Sequence, residues 1–456
     1  MRADLPRQLG PLPAMAIMVG IIIGSGIFRT PPVIAQHTDS AVYMLLLWVL
    51  GGAISLCGAL TWAELGAMFP RSGGIYVFLR EGLGDCPAFV FGWTYMLITK
   101  PLAAAAIAVI FAEHFNILFA GLLAANFGGP LDTRWLTCTL LTALTVVNTP
   151  GVRVGGGVAV ALTALKVGAL VAIVVLGFTL GAGQTAHFTV TPLGAGAVTG
   201  LATMLGAVLW TYDGWSDVGA IAGEVRAPQK NLPRVFLLGT AAVTLLYVAV
   251  NATYVWMLPM EQLRTADSVA PLIMQRLLGP WGETAVTAIV VLSTLGSTHG
   301  SILTGARITF AQARDGLLFR PLAAIHPRWQ TPHVSLWFQW CLSCLAVWAV
   351  PNFQGLADGF VFTMWIFYGL AGIAVFTLRH TRPDAERPYR CWGYPWVPAA
   401  FVASSIGMTV LSIWQARTQP ATSGPDPLVW LAVLLAGVPV YWVWRRLHRP
   451  VVDAAD

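Results

Sequence analysis

The chain has 456 residues, of which 57% are hydrophobic and only 10% charged; its mean hydropathy is +0.71 and its formal charge +6. Soluble domains carry about 25% charged residues, so an ordinary water-soluble fold is excluded. Many apolar runs exceed the roughly 18 residues that suggest a membrane span, and the alternating ten-residue pattern of a membrane barrel is absent. The expectation is an all-α membrane protein.

In chain order the runs predict 12 transmembrane helices, at about 12–36, 41–68, 86–120, 133–150, 154–181, 197–222, 233–258, 281–313, 332–350, 354–379, 394–416 and 427–445. The first is too long for a cleavable leader and continues directly into the others, so no leader is expected. The longest polar stretches, His380–Arg390 and Pro259–Pro280, are loop-sized. A single membrane domain over 1–456 is expected. With the N-terminus inside, about eighteen Lys and Arg residues face the cytoplasm, and about four (Arg134, Arg264, Arg276 and Arg417) face outward. Both termini are then cytoplasmic, in an inner (plasma) membrane.

The basic residues are scattered over loops, which argues against nucleic acid as a partner. No P-loop, HExxH or GxSxG motif occurs, so neither an enzyme nor an ATP-driven pump is expected. The six cysteines, Cys57, Cys86, Cys138, Cys341, Cys344 and Cys391, read as small buried hydrophobes. No metal or cofactor is expected.

Two spans are interrupted. The first carries Gly24-Ser25-Gly26 at mid-depth, and the sixth carries Tyr212-Asp213-Gly214. Lipid cannot hydrogen-bond the backbone groups that such breaks expose. Broken helices persist where those groups face a ligand, and paired breaks in two halves of a chain mark a transporter substrate site. The breaks lie about 188 residues apart. That spacing predicts a five-plus-five repeat, about 12–181 and 197–379, with one copy inverted because each has an odd number of spans. Helices 11 and 12, about 394–445, fall outside it.

Four ordered motifs resemble the amino acid–polyamine–organocation superfamily, and its L-type amino acid transporters in particular. They are Gly20-Ile21-Ile22-Ile23-Gly24-Ser25-Gly26-Ile27-Phe28; Ala63-Glu64-Leu65-Gly66 through Phe69-Pro70-Arg71-Ser72-Gly73-Gly74 to Tyr76; Trp210 to Trp215 with Gly223-Glu224-Val225 and Pro228 to Arg234; and Ala306-Arg307 with Ala313-Arg314-Asp315-Gly316. The resemblance implies the inverted-repeat fold with two extra helices, and amino acid transport, often by exchange. Eukaryotic L-type transporters bind a heavy chain through a cysteine in the loop before span 4. Here that loop, about 126–135, has none. A prokaryotic lone subunit without a disulfide-linked heavy chain is expected.

For a zwitterionic substrate, Ser25, Gly26 and Ile27 would offer backbone N–H groups to the carboxylate at the positive end of the second half-helix. Gly24 would let the chain unwind. The carbonyls of Ile21, Ile22 and Ile23, and those near Trp210 and Thr211 ahead of Gly214, would receive the ammonium. By resemblance, Trp210 is an aromatic gate over the substrate. Asp213 stands where many neutral-substrate relatives carry glycine, and relatives that accept cationic amino acids carry aspartate. It could meet a cationic side chain, carry a proton, or bond the unwound backbone.

Lys166 lies mid-way in span 5, where an unpaired lysine costs roughly 3 kcal/mol. Sodium-coupled relatives hold a cation between helices 1, 5 and 8; the resemblance implies that this ammonium replaces it. Its partners would be carbonyls near Ile22 and Ile23 and hydroxyls such as Ser293 and Ser297. The expected function is therefore a sodium-independent amino acid exchanger or facilitator. The alternatives are a proton- or sodium-coupled symporter and a non-transporting sensor. Glu113 and His114 are expected to be solvated, Arg29 to line an entry path, and Lys100 has no readable role. Glu64, Arg71, Glu224, Arg314 and Asp315 are expected to form one gate network.

Overall fold

In the computed structural model, which describes residues 7, 9–24, 26–150, 155–192, 194–350, 352–418 and 425–447, the first apolar run folds as two helices. These are α1 (Pro11–Ile22) and α2 (Gly26–Ala35). Helix α3 (Ala41–Met68) starts at Ser40, whose hydroxyl accepts the Tyr43 N–H at 3.2 Å. Short helices α4 (Ile75–Leu83) and α5 (Asp85–Thr94) lead through a π turn, Tyr95–Thr99, into α6 (Lys100–Leu118). Then come α7 (Ala120–Phe127), α8 (Thr133–Asn148), α9 (Gly155–Thr179) and α10 (Ala195–Thr199). The second interrupted run is α11 (Leu201–Tyr212) followed by 3-10 turns over Trp215–Glu224. The remainder is α12 (Pro228–Met257), α13 (Met260–Thr265), α14 (Val269–Leu278), α15 (Pro280–Arg314), α16 (His333–Ala349), α17 (Phe353–Thr381), α18 (Trp396–Thr418) and α19 (Pro427–Leu447). The all-α expectation holds: among the described residues the β-type pairing is one isolated bridge, Leu9 with Val225.

Nine helical stretches among the described residues are long and apolar enough to cross a bilayer. The other three predicted spans are α8 with 16 residues, α16 with 17, and the divided sixth. Sixteen residues rise only ~24 Å, less than a typical hydrocarbon core. Helix α8 is also rich in threonine, yet it stays helical. Thr137, Thr139, Thr142, Thr145 and Thr149 each donate to the carbonyl four residues back, at 2.6–2.8 Å, so their hydroxyls are satisfied without water.

The stretch Asp85–Leu118 is 89% buried in its apolar window, whereas α18 and α19 are 22% and 17% buried. Helix α6 is therefore central, and the two last helices lie at the rim. Around the centre, α1 packs on α9, α12 and α15, while α2 packs on α11. Of the cysteines, Cys391 is buried, four are half-buried and Cys341 is exposed. This corrects the expectation of six buried thiols: a lipid-facing surface is as apolar as an interior, so hydrophobic character does not imply burial here.

The two breaks interlock, and glycine is what permits it. A Cβ on Gly26 would lie 2.8 Å from the Thr211 Cα. Gly214 has φ +112, and a Cβ there would lie 3.0 Å from the Ile22 nitrogen. Any side chain at either position would push the half-helices apart.

Candidate functional site

The helix of α1 ends where its carbonyls turn to side chains of other helices. The Lys166 Nζ donates to the carbonyls of Gly20 at 2.7 Å and Ile23 at 3.0 Å, and to the Ser297 hydroxyl at 2.9 Å. Three donors meet three acceptors, which uses the full capacity of an ammonium. Ser297 passes its own proton to the Gly20 carbonyl at 2.9 Å, and Ser293 donates to Ile23 at 2.9 Å. Lys166 is only 3% exposed and does not snorkel. Tyr247 on α12 donates to the Ile22 carbonyl at 2.8 Å.

These bonds correct one expectation. The carbonyls of Ile22 and Ile23 do not stand open for an ammonium; hydroxyls and Lys166 already donate to them. Likewise the Trp210 carbonyl accepts the Asp213 N–H at 3.1 Å. The Thr211 hydroxyl joins α11 to α2 through Thr30 at 2.7 Å. Ser25 lies outside the described residues, so its place in the cradle is not described.

A cavity opens between the two breaks. Of the predicted residues, Ile22, Gly24, Gly26, Trp210, Thr211 and Asp213 line it; Ile23, Ile27 and Gly214 lie behind its wall, with Ile23 and Ile27 fully buried. Ser301 from α15 and Phe360 from α17 complete the lining, together with Ile21 and the α6 face of Lys100, Ala103 and Ile107. The first N–H groups of α2 have no intrahelical acceptor, so the wall offers donors as well as apolar surface.

Sequence reasoning missed Asp217, which also lines the cavity. Its carboxylate binds the Lys100 ammonium, with Nζ 3.0 Å from Oδ1 and 3.3 Å from Oδ2. Two intramembrane acids four residues apart require a cation, and that was the available signal for assigning Lys100. The π turn just before Lys100 fits the neighbouring Pro101, whose ring would clash with the carbonyl four residues earlier in a regular helix. Asp213 accepts the Tyr368 hydroxyl at 2.5 Å, and Ser216 hydrogen-bonds the same hydroxyl at 2.8 Å. No Lys or Arg is ion-paired with Asp213 among the described residues.

Trp210 separates this cavity from a second one. Its ring meets Phe360 and Phe353 edge-on, with centroids 5.2 and 5.8 Å apart. The second cavity is lined by Arg29, Thr30, Phe353, Gln354 and Asp358 beside Trp210. Arg29 pairs with Glu113, so Glu113 is not simply solvated. His114 is 3% exposed and bonds the Ile110 carbonyl through Nδ1 at 3.0 Å, which also departs from the expectation of solvation.

The expected single gate network is instead several ion pairs. Glu64 receives Arg379 at 2.6 Å and the Cys391 N–H at 2.6 Å, with Arg387 3.5 Å away. Arg71 pairs with Glu81, Glu224 with Arg307 at 2.7 Å, and Arg80 with Asp315 at 2.7 Å. Of the expected set, Arg314 and Asp315 do meet each other, at 3.4 Å. Three of these pairs join separate elements: Glu64 of α3 with Arg379 of α17, Glu224 of the 3-10 turns with Arg307 of α15, and Arg80 of α4 with Asp315 at the end of α15.

Paired helix breaks around a buried cavity with both donors and carboxylates define a membrane transporter of small polar solutes. The chain belongs to the amino acid permease family, whose model matches residues 9–438. It is 31% identical to the b(0,+)-type amino acid transporter 1 of Mus musculus, over 98% of this chain and 91% of that protein. It is 31% identical to the cystine/glutamate transporter of Homo sapiens, over 98% and 88%. It is 30% identical to the serine/threonine exchanger SteT of Bacillus subtilis, over 97% and 98%. The protein is an amino acid transporter, not an enzyme.

Proposed function

We propose that the chain exchanges amino acids across the membrane by alternating access, independently of sodium, with the substrate zwitterion held between the breaks of the first and sixth spans. The two halves, about 12–181 and 197–379, act as inverted repeats, with the last two helices outside them. The observation that carries sodium independence is the Lys166 ammonium, bound within 3.0 Å to two carbonyls of the first break and to Ser297. A fixed cation there braces the first span against α9 and α15, as a bound ion would, and leaves no vacancy for one.

The substrate carboxylate meets the N–H groups at the start of α2, around Ser25, Gly26 and Ile27. With the Ile22 and Ile23 carbonyls already bonded, the ammonium is left with the remaining lone pairs around Ile21 and Thr211. Trp210 covers the substrate, supported by its position between two cavities. Asp213 receives a cationic side chain; the support is its place on the cavity wall and, among the described residues, the lack of a Lys or Arg ion-paired with it.

Both termini face the cytoplasm and the protein sits in the plasma membrane; the support for this reading is the bias of basic residues toward one side. No cysteine occurs in 126–135, which supports a subunit working without a disulfide-linked heavy chain. The test is counterflow in proteoliposomes loaded with individual amino acids, with sodium, potassium or choline outside. Exchange that needs a loaded amino acid and ignores the cation supports the reading. Exchange that requires sodium overturns it.

A further inference from the structure

Lys100, Asp213 and Asp217 face one cavity, with a formal balance of one negative charge. They are not equivalent. The Lys100 and Asp217 side chains are 6% and 10% exposed, and the ammonium is shared between both carboxylate oxygens. Asp213 is held by the Tyr368 hydroxyl alone among the described side chains. A substrate side chain entering here meets an acid that can still take a cation. The base it meets is already bound.

The backbone sets both partners of the ion pair in advance. Asp217 lies in the 3-10 turns immediately after Gly214, and its N–H bonds the Gly214 carbonyl at 3.2 Å. Lys100 opens α6 directly after the π turn. A lysine buried in a membrane protein is costly, and methionine would fill the same volume without charge. The charge therefore needs a reason beyond packing.

We propose that Asp217 is a specificity-determining residue: by holding Lys100, it closes the basic half of a side-chain subsite, so that the cavity accepts neutral and cationic amino acids and rejects acidic ones. This rests on the reading of the cavity as the substrate site. Removing the Asp217 charge leaves an amide that still accepts one hydrogen bond. It frees the ammonium to meet a substrate carboxylate, which forms a stronger, charge-assisted bond.

The test is uptake of radiolabelled arginine, leucine and glutamate into proteoliposomes containing wild type, Asp217→Asn, Lys100→Gln or the double variant. Wild type should favour arginine and leucine over glutamate. Asp217→Asn should raise the glutamate-to-arginine ratio about tenfold or more, as expected for one charged hydrogen bond gained. Lys100→Gln should move the ratio the other way, and the double variant should return toward wild type. A structural role alone would lower all three substrates together. Glutamate-dependent thermal stabilisation in detergent, present for Asp217→Asn and absent for wild type, gives a second readout where transport is slow. If Asp217→Asn does not fold, the Lys100→Gln arm decides. An unchanged ratio in a folded single variant, with wild-type uptake intact, overturns the proposal alone. Absence of any wild-type amino acid uptake overturns the substrate-cavity reading, and the proposal with it.

Discussion

The Lys166 ammonium lies 3.0 Å from the Ile23 carbonyl, at the point where the first membrane helix stops. A helix end inside a bilayer leaves carbonyls that lipid cannot satisfy. Lys166 and Ser293 supply the donors there, from two different helices. Lys166→Ala should therefore reduce transport by about tenfold or more, since charged hydrogen bonds are worth roughly 1.5–3 kcal/mol. Lys166→Arg should rescue poorly, because a planar guanidinium does not replace a compact point charge. Distance labels between α1 and α15 should report a changed balance of conformations. Full transport with an unchanged distribution in the alanine variant would remove the main argument against sodium coupling.

Gly26→Val should abolish amino acid binding while the protein remains folded. The new Cβ would come within 2.8 Å of the Thr211 backbone, at the seam of the two breaks. Ligand-dependent thermal stabilisation checks this, with size-exclusion behaviour as the control for folding. Wild-type affinity in a well-behaved variant counts against the interlocked-break site.

Trp210→Ala should impair transport more than equilibrium binding. The indole stands between two cavities and is braced by Phe353 and Phe360, so its loss joins the cavities without removing polar substrate contacts. Comparing initial uptake rates with binding isotherms tests it. Unaltered transport would make Trp210 a packing residue.

Asp213→Gly should lose arginine and lysine uptake, by about tenfold or more, and retain large neutral substrates. A buried substrate cation without a partner is expensive in a low-dielectric site. Competition of labelled leucine uptake by arginine measures the change. Equal loss of leucine and arginine would point instead to a backbone-bracing role.

Glu64→Gln should destabilise the folded protein without changing substrate preference. Glu64 is 1% exposed and accepts from Arg379 and the Cys391 N–H. Breaking a buried ion pair costs about 3–5 kcal/mol. A lowered unfolding temperature in detergent, with an unaltered arginine-to-leucine ratio, is the expected result.

Local sequence was sufficient for the helices and their breaks. Apolar length sets a span, and Gly24, Gly26 and Gly214 interrupt runs that would otherwise continue, so the divided first and sixth helices could be read before any contact was known. Lys166 was legible for a related reason: a charge at mid-span must find a partner, and few arrangements supply one. The family motifs were legible because they lie in short, ordered segments.

The pairings were decided by tertiary structure. Tyr247 reaches the Ile22 carbonyl from 225 residues away, and Lys100 reaches Asp217 across 117. Nothing in their spacing records the rotation of α12 or the π turn that aims Lys100. For the same reason the charges Glu64, Arg71 and Glu224 were noticed in the sequence but wrongly grouped into one network, and their separate partners could not be assigned. Composition determines that this chain lives in lipid, and its interrupted runs determine where the backbone opens. Which donors close that opening, and which charge remains for a substrate, depends on helix packing, because a hydrogen bond needs its partners within about 3 Å and only the assembled bundle brings them there.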